Sequence, residues 1–202
     1  MNLNDLMPSI IIAVGIVLMI VSILYSLYAA QARQKAWAEL AERTGLQMVS
    51  GGLLSRPRLE GSYRNRPMTL YTFTRRSGKH SHTYTVVAVQ VNNAGAVSLA
   101  IFNQGLLSQV GKLLGMQDIE IGDEEMDRRF VFRGQPDQEV QRILASGGLR
   151  QKLLDTSNVN LRLEGPTLKH TQSGTERNID RLQALFDLLA EVAEGVERDS
   201  GG

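Results

Sequence analysis

The 202-residue chain contains no cysteine. Disulfide frameworks, cysteine-based zinc sites and thiol nucleophiles are therefore excluded, and such a composition suits a reducing compartment. The sequence also lacks the G-x-S-x-G, P-loop and G-x-G-x-x-G patterns, so the local signatures of serine hydrolases and of nucleotide-binding folds are missing. We therefore predict a non-enzymatic protein with no catalytic residues, no cofactor and no metal ligands.

Histidine is scarce, with three residues in the whole chain. His80 and His82 could present two imidazoles on one side of a strand, as a metal site requires. The adjoining residues Ser77, Gly78 and Lys79 are typical of an exposed hairpin tip, and His170 is far away in the sequence. We interpret His80 and His82 as a solvated pair.

The acidic run from Asp118 to Asp127 could attract calcium. An EF-hand loop needs glycine at its sixth position and an acidic residue at its twelfth. Counted from Asp118, these positions hold Asp123 and Arg129, so the pattern fails. We interpret the run as a solvated acidic connector.

Charge is absent from Ile10 to Ala30, the sequence IIIAVGIVLMIVSILYSLYAA. A helix of about 21 residues is about 31 Å long, which is enough to cross the hydrocarbon core of a membrane. No lysine or arginine precedes this stretch, whereas Arg33 and Lys35 follow it. The positive-inside rule then predicts an anchor at 1–32 in the inner (cytoplasmic) membrane of a bacterium, with the N-terminus outside and the C-terminal domain in the cytoplasm.

A cleaved signal peptide is the alternative, because Ala30-Gln31-Ala32 fits an A-x-A cleavage site. A signal peptide has a basic n-region and an apolar region of about 7–15 residues. Here the n-region carries only Asp5, and the apolar run is longer. The sequence therefore favours an uncleaved anchor.

The charge of the remaining chain is unevenly distributed. From Arg33 to Thr83 ten lysines and arginines face three glutamates, and from Tyr84 onward seventeen acidic residues face twelve basic ones. The basic half is the half next to the membrane, where an anionic leaflet attracts cations. We expect contact with anionic lipid and not with nucleic acid, since Tyr63, Tyr71 and Phe73 fit strand positions better than stacking positions. The candidate membrane-surface contacts are Tyr25, Tyr28, Arg33, Lys35, Arg56, Arg58, Arg64 and Arg66.

Hydrophobic periodicity predicts an α+β domain at 46–197, preceded by a juxtamembrane helix at 33–45 and followed by a disordered tail at 198–202. Trp37, Leu40, Ala41 and Thr44 share a helix face that would dock on the domain. Strands at 58–63, 68–75, 83–91 and 96–102 are joined by short turns, which predicts that they are adjacent and antiparallel. A turn is expected at 64–67.

The second half alternates between helices and strands. We expect a helix at 105–114, a strand at 128–133, a helix from Pro136 to Gly147-Gly148 and a helical piece at 149–155. A hairpin at 159–163 and 167–171 precedes a long amphipathic helix at 178–196. Its apolar stripe comprises Ile179, Leu182, Leu185, Phe186, Leu189, Val192, Ala193 and Val196. An antiparallel sheet covered by this C-terminal helix, as in helix-grip or PH-like folds, fits the pattern.

The stretch from Gly122 to Phe132, GDEEMDRRFVF, resembles a family of uncharacterised bacterial membrane-anchored domains with a GD-x-x-F-D-x-x-F-x-V pattern. Met126 stands where phenylalanine is commoner. The segments WAELA at 37–41 and LEGSY at 59–63 also match. The resemblance implies a fold and an anchor and no known activity. We interpret Gly122, Asp123, Asp127 and Phe130 as a structural motif, with Asp123 as a helix cap and Phe130 in the core.

Two functional hypotheses follow. The first is a single-pass, non-enzymatic binding or scaffold domain, an accessory subunit of or adaptor for a membrane protein complex. The second is a lipid- or small-ligand-binding domain at the cytoplasmic membrane surface, with Arg75, Arg76 and Lys79 among its contacts.

Overall fold

The computed structural model describes residues 3–49, 57–106 and 117–198. Helix α1 spans Leu3–Thr44, so the expected anchor and juxtamembrane helix form one continuous helix. Its 42 residues correspond to about 63 Å of helix. Gly45, at φ +74°, ends it, and the Gly45 N–H donates to the Ala41 carbonyl at 2.8 Å. A left-handed glycine after the last turn is a common helix stop.

The two ends of α1 differ in their surroundings. Large apolar side chains between Ile10 and Tyr28 are at least 50% exposed, whereas Trp37 and Leu40 are fully buried. Thr44 is 8% exposed and Ala41 packs against the core, so the predicted docking face is confirmed. The last two turns of α1 are therefore part of the globular core.

The centre of the domain is one antiparallel nine-stranded sheet with the order β1-β2-β3-β4-β9-β8-β5-β7-β6. A turn of Arg64 and Asn65, both at positive φ, joins β2 to β3, and Arg66 and Pro67 already belong to β3. The expected turn was therefore two residues too long. The strands are β1 Gln47–Val49, β2 Arg58–Tyr63, β3 Arg66–Ser77, β4 His80–Gln90, β5 Ser98–Asn103, β6 Gln117–Ile119, β7 Phe130–Gln135, β8 Asn160–Glu164 and β9 Thr167–Ser173.

The prediction that β4 and β5 are neighbours is wrong. The hairpin β8–β9 lies between them, with β4 paired to β9 and β5 paired to β8 and β7. Asn93 fixes this crossing because its Nδ2 donates to the carbonyls of Val97 and Gly165, each at 2.8 Å. Short connections favour adjacent strands only as a tendency. Here β5 lies between β8 and β7 and pairs with both.

Four further helices complete the fold: α2 Glu124–Arg129, α3 Asp137–Leu144, α4 Gly147–Asp155 and α5 Ile179–Glu197. Asn178 caps α5, accepting the Arg181 N–H at 3.0 Å. All of the expected stripe of α5 is buried except Ile179, which packs at the border of the core. The apolar residues of α2, α3, α4 and α5 and of the C-terminal part of α1 join one core with the inward-facing residues of the sheet. The predicted α+β class with a C-terminal helix over an antiparallel sheet is confirmed.

Several expected boundaries differ. The acidic connector contains the end of β6 and the first four residues of α2, and Arg128 and Arg129 lie in α2, so the expected strand begins only at Phe130. Carboxylates in the first turn of α2 and arginines in its last turn favour a helix there. Gly147 and Gly148 begin α4 instead of ending α3. Of the helix expected at 105–114, a 3-10 turn at Gln104–Leu106 is described, and the remainder, like 199–202, lies outside the described residues.

Candidate functional site

The sheet has an inner face, covered by the helices, and an outer face on the opposite side. Val86, Ala88, Ala100 and Phe102 point to the outer face and are buried, yet they do not belong to the core under the helices. Within the described residues, no helix covers them. The guanidinium of Arg133 lies 5.8 Å from the Phe102 ring centroid, so long basic side chains shield this apolar floor.

A cavity of about 820 Å³ opens on the outer face. Its walls come from β3, β4, β8, β9 and the start of α5. Pockets of about 300–1,000 Å³ are the usual size for small-ligand sites. The lining residues are Phe73, Arg75, His82, Tyr84, Asn158, Asn160, Arg162, Lys169, Thr171, Gln172, Ser173 and Arg181.

Basic side chains occupy opposite positions on neighbouring strands of the cavity. Arg162 pairs with Lys169 across β8 and β9, and Arg75 pairs with His82 across β3 and β4. Arg162 and Lys169 carry like charges, which destabilise a sheet when they lie directly opposite each other. Glu164 offsets one pair, with carboxylate oxygens 3.6 Å from Arg162 and 3.3 Å from Lys169. The cavity lining itself contains no carboxylate.

Aromatic rings form the adjoining wall. Phe73 and Tyr84 are cross-strand partners, and their rings stack with centroids 5.2 Å apart and planes 17° apart. Phe73 is 39% exposed. On the same face Tyr71 lines a second cavity of about 490 Å³, between β2 and β3.

A chain of hydrogen bonds connects the cavity to α1. The Trp37 indole N–H donates to the Glu176 carbonyl at 3.1 Å, and the Glu176 carboxylate accepts from Arg181 at 2.6 Å and from Gln172 at 2.9 Å. Burial raises the pKa of Glu176, but hydrogen bonds from the Asn178 N–H, Gln172 and the Arg177 N–H, with the charge of Arg181, bring it below the ordinary value. Glu176 is therefore an anion that holds Arg181 at the cavity wall, and its own backbone carbonyl contacts Trp37 of α1.

His170 lies on the inner side of β9, behind the cavity. It is fully buried, and burial lowers its pKa to about 4. Nδ1 accepts the Asn160 N–H at 3.3 Å, and Nε2 lies 3.2 Å from the Gln172 side-chain oxygen. A neutral imidazole protonated on Nε2 satisfies both contacts.

The other two histidines stand at the start of β4. His80 and His82 are exposed, with ring centroids 6.5 Å apart. Among the residues that the structure describes, no group of three or more metal-ligating side chains occurs. The geometry fits a solvated pair.

The expected membrane-surface residues on α1 lie along its exposed part. Tyr25 and Tyr28 are 71% and 69% exposed, Lys35 is exposed and Arg33 is half-buried. Arg56 lies outside the described residues. Contact with a membrane remains a prediction for all of them.

The remaining three arginines are engaged in ion pairs on the domain. Arg58 pairs with Glu60 at 2.7 Å, Arg64 with Asp187 at 2.6 Å and Arg66 with Glu197 at 2.6 Å. Arg64 lies in the β2–β3 turn and Arg66 begins β3, about 36 Å along the strand from the β3–β4 turn.

The motif at 122–130 forms a compact clasp. Asp123 caps α2, accepting the N–H groups of Glu125 and Met126, while Asp127 accepts those of Ile121 and Gly122. Arg150 donates to Asp123 at 2.5 Å and, with the Met126 and Glu125 amides, holds the pKa of this carboxyl below its usual range. Gly122 adopts φ +77°, and Phe130 is 2% exposed. This geometry joins α2 to α4 and leaves the motif away from the cavity.

Arg75 was named among the ligand contacts from the sequence, but none of the cavity residues of β8 and β9 was. Asn160, Arg162, Lys169 and Thr171 belong to the hairpin predicted at 159–163 and 167–171, to which no ligand contact was assigned. One signal was present, because polar and basic residues alternate in this hairpin with the buried Leu161, Leu163 and Leu168. Such alternation indicates that the hairpin has an outer face, but it does not identify the ligand or surface that this face contacts.

No protein-family model and no curated protein matches this chain. A crystal structure titled mycobacterial trehalose monomycolate transport factor A, TtfA, is similar, with a TM-score of 0.55 and 13% sequence identity. The match covers 82% of this chain and 94% of that one. Helix α1 is also long and apolar enough to cross a membrane, by length and composition. The likeness shows that the chain shares the α+β fold of that transport factor.

Proposed function

We propose that this chain is a single-pass membrane protein whose α+β domain is a non-enzymatic accessory subunit of, or adaptor for, a membrane protein complex. The observation that carries the proposal is the burial of Trp37 in the domain, on the same unbroken helix as the exposed apolar stretch. A span that continues rigidly into a core holds the domain at a fixed position relative to the bilayer. The likeness to a transport factor supports an accessory role.

The uncleaved anchor gains support from the continuity of α1. The A-x-A sequence at 30–32 lies inside the helix, less than two turns before Trp37. Cleavage there would separate the apolar stretch from the part of the helix that the domain buries. Arg33 and Lys35 at that end favour a cytoplasmic domain.

The β3–β4 hairpin supports a position close to the membrane surface. We define the hairpin tip as residues 74–83; β9 pairs with β4 only from Tyr84 onward, so this tip extends beyond the neighbouring strand. It carries Arg75, Arg76 and Lys79 and no acidic residue. Cations of this kind gain about 1 kcal/mol each near an anionic leaflet.

The hairpin tip and the apolar part of α1 leave the domain at the same end. Leu46 lies against Gly61, and Gly61 is the β2 partner of Met68 on β3. Trp37 donates to the Glu176 carbonyl, and the Glu176 N–H donates to Thr85. Thr85 is the β4 partner of Thr72, which lies four residues closer to the tip than Met68 does. From Leu46 back to Trp37, α1 therefore advances along β3 toward the tip. Tyr28 lies about 14 Å beyond Trp37 along the helix, and the tip reaches about 20 Å beyond Thr85.

The test is native extraction. Membranes holding the tagged chain are dissolved in mild detergent and separated on a native gel, and co-migrating proteins are identified. A discrete large band with stoichiometric partners is expected. A band of monomer or dimer size would contradict the accessory role, and a reporter fused after Gly202 that is active only in the periplasm would contradict the orientation.

The basic cavity favours a second function, which is recognition of an anionic lipid or small ligand at the membrane surface. The monomer or dimer band that contradicts the first function is the outcome expected if this second function stands alone.

A further inference from the structure

The cavity holds several cations at positions where they add little to the stability of the sheet. Lys169 and Arg162 repel each other across the strands, and they share one carboxylate, Glu164, whose side chain is 51% exposed. Exposed ion pairs of this length add little stability. The guanidinium of Arg75 makes no ion pair or hydrogen bond among the described residues. An anion in the cavity would offset the charge of Lys169 and Arg162 and that of Arg75.

Arg181 adds a cation of fixed orientation. Its guanidinium donates to Glu176 at 2.6 Å and to the Ser157 carbonyl at 3.2 Å. These bonds hold it at the opposite wall from Arg75. Guanidinium and ammonium groups are the donors that proteins use for phosphate oxygens.

The cavity also offers an apolar surface and a position near the bilayer. Phe73 and Tyr84 stand beside Arg75, and these residues lie at the end of the sheet from which the hairpin tip projects. A ligand with a phosphate and a neighbouring apolar portion matches both parts of the wall. A free phosphate compound would match only the basic part.

We infer that this elongated cavity binds an anionic ligand that carries a phosphate group, with Arg75, Lys169 and Arg181 contacting its anionic oxygens from separate parts of the wall. The stacked pair Phe73 and Tyr84 lies against the apolar portion of the ligand. The inference deepens the second of the proposed functions, and it rests on the membrane-anchored position of the domain. Two sources supply this chemistry, which are the headgroup of a phospholipid and a soluble phosphate compound.

The experiment uses the full chain purified in neutral detergent, with the variants Arg75→Gln and Lys169→Gln. Arg128→Gln is the matched control, because Arg128 is exposed, loses the same charge and does not line the cavity. Co-purifying lipids are extracted and quantified by mass spectrometry. Glycerol 3-phosphate and inorganic phosphate are titrated separately by calorimetry.

One anionic phospholipid retained per wild-type chain, retained by Arg128→Gln and lost from both cavity variants, identifies a lipid headgroup. Heat from glycerol 3-phosphate or inorganic phosphate without retained lipid, weakened about tenfold in either cavity variant and unchanged in Arg128→Gln, identifies a soluble phosphate compound. No ligand of either kind, or equal behaviour of the cavity variants and Arg128→Gln, overturns the inference. None of these outcomes depends on whether the native gel shows a partner.

Discussion

The buried His170 is the residue at which proton binding and stability are most directly coupled. Its imidazole is fully buried and uses Nδ1 as an acceptor for the Asn160 N–H. Protonation would place a second N–H against that donor and a charge in the interior. The folded-state pKa of about 4 therefore lies below the value of about 6.5 in an unfolded chain.

This difference predicts a loss of stability in mild acid. Because the folded pKa is depressed, the contribution of His170 is fully present above pH 6.5 and is lost as the pH falls from 6.5 toward 4. Between pH 7 and pH 5 the free energy of unfolding should fall by about 2 kcal/mol through this residue. Denaturant unfolding at both pH values measures it. His170→Gln should lack this fall, whereas the exposed His80→Gln should keep it; equal slopes in all three proteins would contradict the prediction.

Gly134 on β7 shows how closely α3 packs on the sheet. A methyl group at this position would lie 2.6 Å from a Val140 methyl and in contact with the Ser98 carbonyl oxygen. The backbone at Ser98 belongs to the paired strand β5 and cannot move alone. We expect Gly134→Ala to lower the free energy of unfolding by about 1–3 kcal/mol.

A second glycine provides the comparison for Gly134. Among the described residues, no atom lies within 4 Å of the methyl group that Gly105→Ala would add. Its effect should stay within about 0.5 kcal/mol. Thermal unfolding followed by circular dichroism measures both variants, and a Gly134→Ala protein as stable as Gly105→Ala would show that α3 packs less closely than described.

At the scale of the elements, Trp37 is the main link between α1 and the domain. Its side chain is fully buried, and its indole N–H reaches the Glu176 carbonyl. Trp37→Ala should cost about 3–5 kcal/mol because it leaves a large cavity. Trp37→Phe keeps most of the packing and should cost about 1 kcal/mol for the lost hydrogen bond. Circular dichroism melts of the full chain in detergent give both values.

The control for Trp37 lies on the same helix. Lys35 is exposed, so Lys35→Ala should change the stability by no more than about 0.5 kcal/mol. If Trp37→Ala were as mild as Lys35→Ala, α1 would not be part of the core, and the fixed position of the domain would lose its support.

Local patterns in the sequence predict those elements whose surroundings are local. The stripe of α5 follows the helical period, and the alternation of Met68, Leu70 and Thr72 predicts the buried side of β3. The pairing of β4 with β9 had no such signal, because Val87 and His170 are partners separated by more than eighty residues. A connection of seven residues, such as that between β4 and β5, can end a hairpin or cross to another strand, and only the packing of the whole sheet decides.

Arg75 was named among the ligand contacts from the sequence, but the rest of the candidate site was unpredictable for the same reason. Arg75 and Lys169 lie on strands that the sequence places in different halves of the chain, and neither belongs to a recognisable motif. The basic bias of the first half was visible, and it led to Arg64 and Arg66, which pair with carboxylates of α5. Charge counts therefore identified the basic half, and the fold decided which cations face the cavity.

On the scale of the whole molecule, the two ends of the domain differ in their elements and their charges. The apolar part of α1, the hairpin tip and the Arg75 end of the cavity lie toward one end of the domain, whereas the β2–β3 turn and the C-terminus of α5 lie toward the other. Arg66 and Glu197 join at that second end, about 36 Å along β3 from the tip. Under the proposed function, the first of these ends faces the membrane and the second is distal to it.

The absence of cysteine allows this orientation to be measured directly. Single cysteines are introduced by Ser81→Cys in the hairpin tip and by Gln90→Cys at the far end of the same strand, about 30 Å away. Each is labelled with a fluorophore in nanodiscs that carry headgroup quenchers. We expect strong quenching at position 81 and weak quenching at 90, since both sites are exposed and differ mainly in height above the bilayer. Equal quenching, or stronger quenching at 90, would contradict a fixed domain whose cavity end faces the membrane, and breaking α1 with a glycine pair at 34–35 should reduce the contrast.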